Sequence, residues 1–135
     1  MIYIDTNVVI AFIDELDPNH TKAIKLLENL KDDKVVSGLT LTELASVYSR
    51  ANLDEPLALA IYSVKRINAE IIDVDFNEVL MNTFKLAPLL KLKTLDLLHI
   101  TTCKIIKAKA FATFDKDIIA KSDIIHGIGI EIITN

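Results

Sequence analysis

Four acidic residues stand where this chain changes from one local pattern to another: Asp5, Glu43, Asp96 and Asp115. Asp5 closes the apolar run Ile2-Tyr3-Ile4, and the amphipathic stretch Val8, Val9, Ile10, Phe12, Ile13 follows at once. A strand that passes into a helix through a carboxylate sets that carboxylate at the carboxyl edge of a sheet, where open α/β folds bind ligands. Glu43 is expected in the first turn of a helix beginning near Thr40, and Asp96 in the first turn of another beginning at Thr94. Asp115 follows a strand at a helix start. Taken singly, each acid is explained as a cap: Asp is a preferred N-cap, and first-turn acids complement the helix dipole for about 0.5–1 kcal/mol. Thr40 with Glu43 three residues on matches a capping box.

Two features point beyond capping. Asp5 and Asp96 sit among strongly apolar neighbours, and a carboxylate drawn out of water there costs energy unless it is paired. A parallel sheet would also gather strand ends and helix starts on one rim. At about 4 Å and an effective dielectric near 20, each like-charge pair costs roughly 4 kcal/mol, more than helix dipoles offset. A divalent cation offsets it, and oxygen-only ligands favour Mg2+ or Mn2+ over zinc.

The elements that must position these acids alternate along the chain. Helices are expected over about 7–14 and 20–30, the second presenting Ala23, Ile24, Leu26, Leu27 and Leu30 on one face. Val35–Ser37 reads as a strand, with Gly38 breaking the pattern before the Thr40 helix. Asp54-Glu55-Pro56 opens a further helix through an acidic, proline-containing first turn. Glu70–Val74 is a strand, and a helix from Asp75 or Asn77 runs to about Leu90. The Thr94 helix continues to about Lys107. Ala110–Thr113 is a strand, 114–117 a turn, 118–121 a short helix, and Glu131–Ile133 the last strand. This alternation predicts an α/β domain, helices flanking a mostly parallel central sheet.

Length and composition fit one domain over 1–135, with a conventional core and short connections: 51% of residues are hydrophobic, 25% charged, and there are 3 Gly and 3 Pro. The single Cys103 excludes an internal disulfide framework and suits a reducing cytosol. No apolar run reaches the roughly 18 residues of a membrane span, and Asp5 interrupts any signal-peptide pattern, so a cytoplasmic location is expected. A net charge of −4 argues against non-specific coating of nucleic acid but not against a nuclease whose metal ligands are acidic. Lys85, Lys91, Lys93, Lys104, Lys107 and Lys109 cluster in sequence and are expected on solvated helix faces.

The ordered set Asp5-Thr6-Asn7, Glu43, Asp96 and Thr113-Phe114-Asp115 resembles the acidic quartet of PIN-domain ribonucleases, most closely the VapC-type toxins of prokaryotic toxin–antitoxin pairs. The resemblance spans essentially the whole chain, and Lys93-Thr94-Leu95-Asp96-Leu97-Leu98-His99 resembles the family's third motif. It implies a PIN-like three-layer fold and metal-dependent endonucleolytic hydrolysis of RNA. Asp5, Asp96 and Asp115 would hold one or two Mg2+ or Mn2+ ions, with Glu43 as a ligand or as the orienter of the attacking water. Asn7 and Thr113 would hydrogen-bond those carboxylates, Thr6 would lend a hydroxyl or backbone donor, and Asp117 would stand in reserve for the fourth role. An antitoxin covering the acidic cleft and a homodimer are the implied partners, and apolar residues between Thr40 and Val64 are candidates for a dimer surface.

Two other classes compete. A binding or regulatory module of the same fold would keep the acids as helix caps. A phosphoryl-accepting receiver domain needs an acceptor Asp after a central strand, whereas Asp54 opens a helix. His99, His20, Cys103, Met81 and Phe84 are read as packing or surface residues, His99 as a packed, satisfied histidine.

Overall fold

Alternation of side chains across five short strands accounts for the architecture of the computed structural model, which describes all 135 residues. The strands are β1 (Ile2–Ile4), β2 (Lys34–Ser37), β3 (Ala69–Ile72), β4 (Ala110–Ala112) and β5 (Glu131–Ile133). They form one sheet in the order β3-β2-β1-β4-β5, every pairing parallel. The helices are α1 (Thr6–Ile13), α2 (His20–Asn29), α3 (Gly38–Arg50), α4 (Pro56–Arg66), α5 (Phe76–Leu90), α6 (Thr94–Ile105), α7 (Lys116–Ile119) and α8 (Ser122–Gly127).

Ile2 and Ile4 point to one face of β1 and Tyr3 to the other, as a two-residue period requires. The first face joins Val36, Ala110 and Ala112 to Val8, Val9, Leu26, Leu44, Ala60 and Val64 of α1–α4. The second joins Tyr3, Val35 and Phe111 to Leu86, Leu90, Leu97, Ile100 and Ile125 of α5, α6 and α8. Both faces are therefore covered, the usual condition of an all-parallel sheet. The strand order reverses at β1, which pairs with β2 on one side and β4 on the other: Ile2 lies opposite both Lys34 and Ala110. Crevices for ligands form beyond the carboxyl ends of strands at such a switch point.

Several local expectations are corrected. Gly38 begins α3 rather than breaking the pattern. Ser37 is the N-cap, accepting from the Leu39 N–H, and the capping box is Ser37 with Thr40, not Thr40 with Glu43. Glu43 consequently lies in the second turn of α3 and is free of capping. Pro56 is the first residue of α4, so Asp54 and Glu55 precede that helix and its first turn holds no acid. Asp75 caps α5, as one of the two alternatives held. The turn expected at 114–117 ends early, because Asp115 caps α7 from Lys116 onward, and α8 had no expected counterpart. The remaining ends agree to within about two residues.

Candidate metal centre

The acidic site is built where β1 and β4 end side by side. Asp5 is the N-cap of α1, one oxygen accepting from the Thr6 N–H at 2.8 Å. Its second oxygen accepts from the Thr113 hydroxyl at 2.7 Å. Thr113 in turn accepts from the Asp115 N–H at 2.9 Å and from the Asn7 amide at 3.4 Å. The Asn7 carbonyl oxygen accepts from the Phe114 N–H at 3.3 Å. One threonine thus ties the ends of two neighbouring strands together and fixes two of the acids. Thr113 donates to the Asp5 carboxylate as expected but meets Asp115 only at its backbone N–H, and Asn7 reaches Asp5 only through Thr113.

Asp115 caps α7, accepting from Asp117 and Ile118 N–H groups at 2.8 and 3.3 Å. The capping explanation is therefore correct for Asp5 and Asp115, and incomplete for both. Asp117 itself is exposed, its carboxylate 3.9 Å from the Lys93 ammonium.

Glu43 reaches the site from α3. It accepts from the Thr6 hydroxyl at 2.8 Å and from Nε2 of His99, which is buried. Carboxylate oxygens of Asp5 and Glu43 and a ring nitrogen of His99 all lie within 4.8 Å of one another. Asp96, in the first turn of α6, lies near enough to feel the charges of Asp115, Asp5 and Glu43.

Electrostatics records the convergence. Partial burial pushes the Asp96 carboxyl up to about 6, and the charges of Asp115, Asp5 and Glu43 push the same way against an opposing effect of His99. Burial likewise raises the Asp5 carboxyl, partly offset by His99 and Thr113. Burial also acts to raise Glu43, but hydrogen bonding and charge from His99, with Thr6, outweigh it and hold that carboxyl below its usual range. Acids that mutually oppose ionisation in a half-dry cleft form an oxygen donor set suited to a hard divalent cation. Asp5 and Glu43, with His99, bring ligand atoms close enough together to hold one ion, and Asp96 and Asp115 border that group.

Residue reasoning set His99 aside as a packed histidine. It is packed and satisfied, and its partner is one of the four acids. The three-residue spacing from Asp96 sets His99 in the same neighbourhood of α6, but only tertiary packing brings it to Glu43 of α3. Tyr3 was overlooked too; a phenol inside an apolar strand needs a polar partner. The Tyr3 hydroxyl lies 2.9 Å from Nδ1 of His99 and 2.7 Å from the Ser37 hydroxyl. The two hollows of the surface lie elsewhere. Cavities of about 290 and 230 Å³ flank the Phe12–Arg66 contact where α1, α2 and α4 meet.

Comparison with known proteins agrees with this construction. Residues 2–124 match the family model of the PIN domain, and the chain belongs to that family. No curated protein matches it in sequence. Among solved structures, VapC20 of Mycobacterium tuberculosis, described as a sarcin-ricin loop cleaving toxin, superposes with a TM-score of 0.70 at 17% identity, over 89% of this chain and 94% of that one. VapBC2 of Rickettsia felis, solved with a DNA fragment from its promoter, gives 0.65 at 19% identity over 99% and 100%. FitAcB of Neisseria gonorrhoeae gives 0.66 at 16% over 99% and 97%. At these identities the likeness is one of fold.

Proposed function

We propose that this protein is a Mg2+- or Mn2+-dependent endoribonuclease and the toxin of a type II toxin–antitoxin pair. The observation that carries the reading is the gathering of Asp5, Glu43 and His99 ligand atoms within 4.8 Å of one another at the carboxyl edge of the sheet, with Asp96 and Asp115 beside them. A divalent ion held there would polarise a phosphodiester and acidify bound water. Asp5, Asp96 and Asp115 would hold it; Thr113 and the Thr6 N–H keep Asp5 aimed, and the Asp117 and Ile118 N–H groups hold the Asp115 carboxylate. Glu43, fixed by Thr6 and His99, would complete the set as a ligand or as the orienter of the attacking water.

The phosphodiester backbone of RNA needs positive charge beside this acidic ring. Lys93 stands next to Asp117, and the Lys22 ammonium lies 5.0 Å above the Phe114 ring. The other clustered lysines are exposed and dispersed: Lys109 pairs with Asp32, and Lys104 donates to the Ile128 carbonyl. A cognate antitoxin, as in the toxin–antitoxin complex of Klebsiella pneumoniae that shares this fold, would cover the cleft. Exposed Leu53, Leu57 and Tyr62, around and within α4, support a homodimer. No helix is long and apolar enough to cross a membrane, and the single buried cysteine fits a cytoplasmic protein.

A second reading has a specific observation in its favour: Asp5 and Asp115 do cap helices. A silent PIN-fold module would keep them for that purpose. Calorimetric titration of EDTA-stripped protein with manganese separates the two. Saturable binding by the wild type that Asp96→Asn abolishes, together with loss of RNA cleavage in the same variant, supports the nuclease. Absence of binding in both proteins returns the acids to capping.

A further inference from the structure

A line of buried polar groups runs from the middle of the sheet to Glu43, and packing alone does not explain it. Tyr3 and Ser37 are wholly shielded from solvent, His99 is nearly so, and only the Glu43 end opens toward the cleft. An apolar residue at position 99 would fill the space between β1 and α6 without the cost of desolvating an imidazole. Yet every buried side-chain nitrogen and oxygen here is paired.

The carboxylate end of the line fixes one donor. The Glu43 carboxylate only accepts, so Nε2 of His99 carries a proton toward it. Nδ1 of His99 lies 2.9 Å from the Tyr3 hydroxyl, accepting from it in the neutral ring and donating to it in the imidazolium, and Tyr3 in turn lies 2.7 Å from the Ser37 hydroxyl. Ser37 accepts in turn from the Leu39 N–H at 3.2 Å, so the line begins at the N-terminus of the helix that carries Glu43. Each group is hydrogen-bonded to the next, and a chain of such bonds polarises along its length. The His99 ring has little freedom to turn: it meets Tyr3 edge-on at 5.6 Å and 69°, and Tyr3 is stacked on Phe111 at 5.4 Å and 15°.

We infer that Ser37, Tyr3 and His99 form a positioning relay that fixes the orientation of Glu43 toward the metal-binding cleft. His99 acts through the carboxylate rather than as a ligand, because its two nitrogens are already engaged by Glu43 and Tyr3. The inference rests on the nuclease reading. Partners that orient a liganding group typically change metal affinity or activity by about 10–100-fold when lost.

The test uses the full chain with manganese as the probe, and measures Mn2+ affinity by calorimetry, kcat and KM for a cleaved RNA, and Tm. His99→Leu is expected to weaken manganese binding and lower kcat by about 10-fold or more with KM unchanged. His99→Gln keeps an N–H near the Nε2 position and is expected to restore both to within about 3-fold. Tyr3→Phe keeps the ring stack, removes only the hydroxyl, and is expected to lower both by a few-fold. It also keeps the proposal testable if His99→Leu does not fold. Wild-type affinity and kcat in both His99→Leu and Tyr3→Phe, with only Tm reduced, would overturn the relay and leave the nuclease reading intact. A wild type that neither binds manganese nor cleaves RNA would overturn both.

Discussion

The two walls of the acidic cleft are built on opposite principles. On the wall formed by the ends of β1 and β4, both oxygens of Asp5 accept hydrogen bonds and the residue is buried. On the α6 wall, the Asp96 carboxyl is acted on by burial and neighbouring charge, with no hydrogen bond among the influences on it. Asp5 is held by the protein's own hydrogen bonds, whereas Asp96 is partly exposed and acted on by neighbouring charge. A fixed ligand sets geometry, and an unsatisfied one supplies much of the driving force for capturing an ion. The comparison predicts that substitutions on the two walls fail differently.

The largest effect is expected at the unsatisfied wall. Asp96→Asn keeps the shape of the side chain and removes the charge, so RNA cleavage should fall by on the order of 10³-fold or more while the metal-free fold is retained. A variant retaining near-wild-type cleavage rates would show that the α6 wall is not a ligand wall. At the satisfied wall the defect should be structural. Thr113→Val removes the hydroxyl that donates to Asp5 and accepts from Asp115 and Asn7. Leaving a buried charged acceptor short costs about 2–3 kcal/mol, a fall in Tm of roughly 6–12 °C for a chain of this size. Thr113→Ser, which keeps the hydroxyl, should recover most of it. Equal melting temperatures for valine and wild type would mean that Asp5 is not held as described.

The same contrast explains how much could be read from the sequence. Asp5 and Asp115 were legible because each sits at a strand-to-helix junction, and the turn chemistry there is local. The α/β class and the parallel sheet followed from alternating patterns for the same reason. Glu43 was found as an acid but placed in the wrong turn, because Ser37 and Gly38 resemble a strand end and a breaker until the Ser37–Thr40 cap is seen. α8 escaped because six residues carry too little periodicity to register. His99 and Tyr3 are far apart in the chain, and only the β1–α6 packing brings the phenol to the imidazole. Contacts of that kind leave no pattern in one segment. The strand order, which puts β1 at the switch point, was likewise beyond local reading.

A smaller effect separates the walls by pH. The Asp96 carboxyl is raised from 3.8 to about 6 in the metal-free fold, so the folded state holds its proton more tightly than the unfolded chain does. The associated stability is fully present below about pH 4 and is lost as pH rises through about 6. Because Asp96 is partly exposed, solvent screening reduces the size of this term to about 1 kcal/mol. Metal-free Asp96→Asn should therefore melt about 3 °C above the wild type at pH 7, with the gap closing by pH 4. Saturating manganese should reverse the order at pH 7, since only the wild type gains from binding. A gap independent of pH would place its origin outside the carboxyl charge.

The smallest effect concerns what lies outside both walls. Lys93 is almost fully exposed, and at 3.9 Å its contact with Asp117 is a loose surface pair of little consequence for stability. Its position at the N-cap of α6, three residues from Asp96, suits it instead to a phosphate flanking the scissile bond. Neutralising one phosphate on a single strand contributes about 0.7 to the slope of log affinity against log salt. In the cleavage-deficient Asp96→Asn background, Lys93→Gln should reduce that slope by about 0.7, with a few-fold loss of RNA affinity at moderate salt and an unchanged Tm. Fluorescence anisotropy with a labelled RNA across a salt series measures it. An unchanged slope would route the RNA away from α6, leaving Lys22 above Phe114 as the cation to examine on the β4 side of the same cleft.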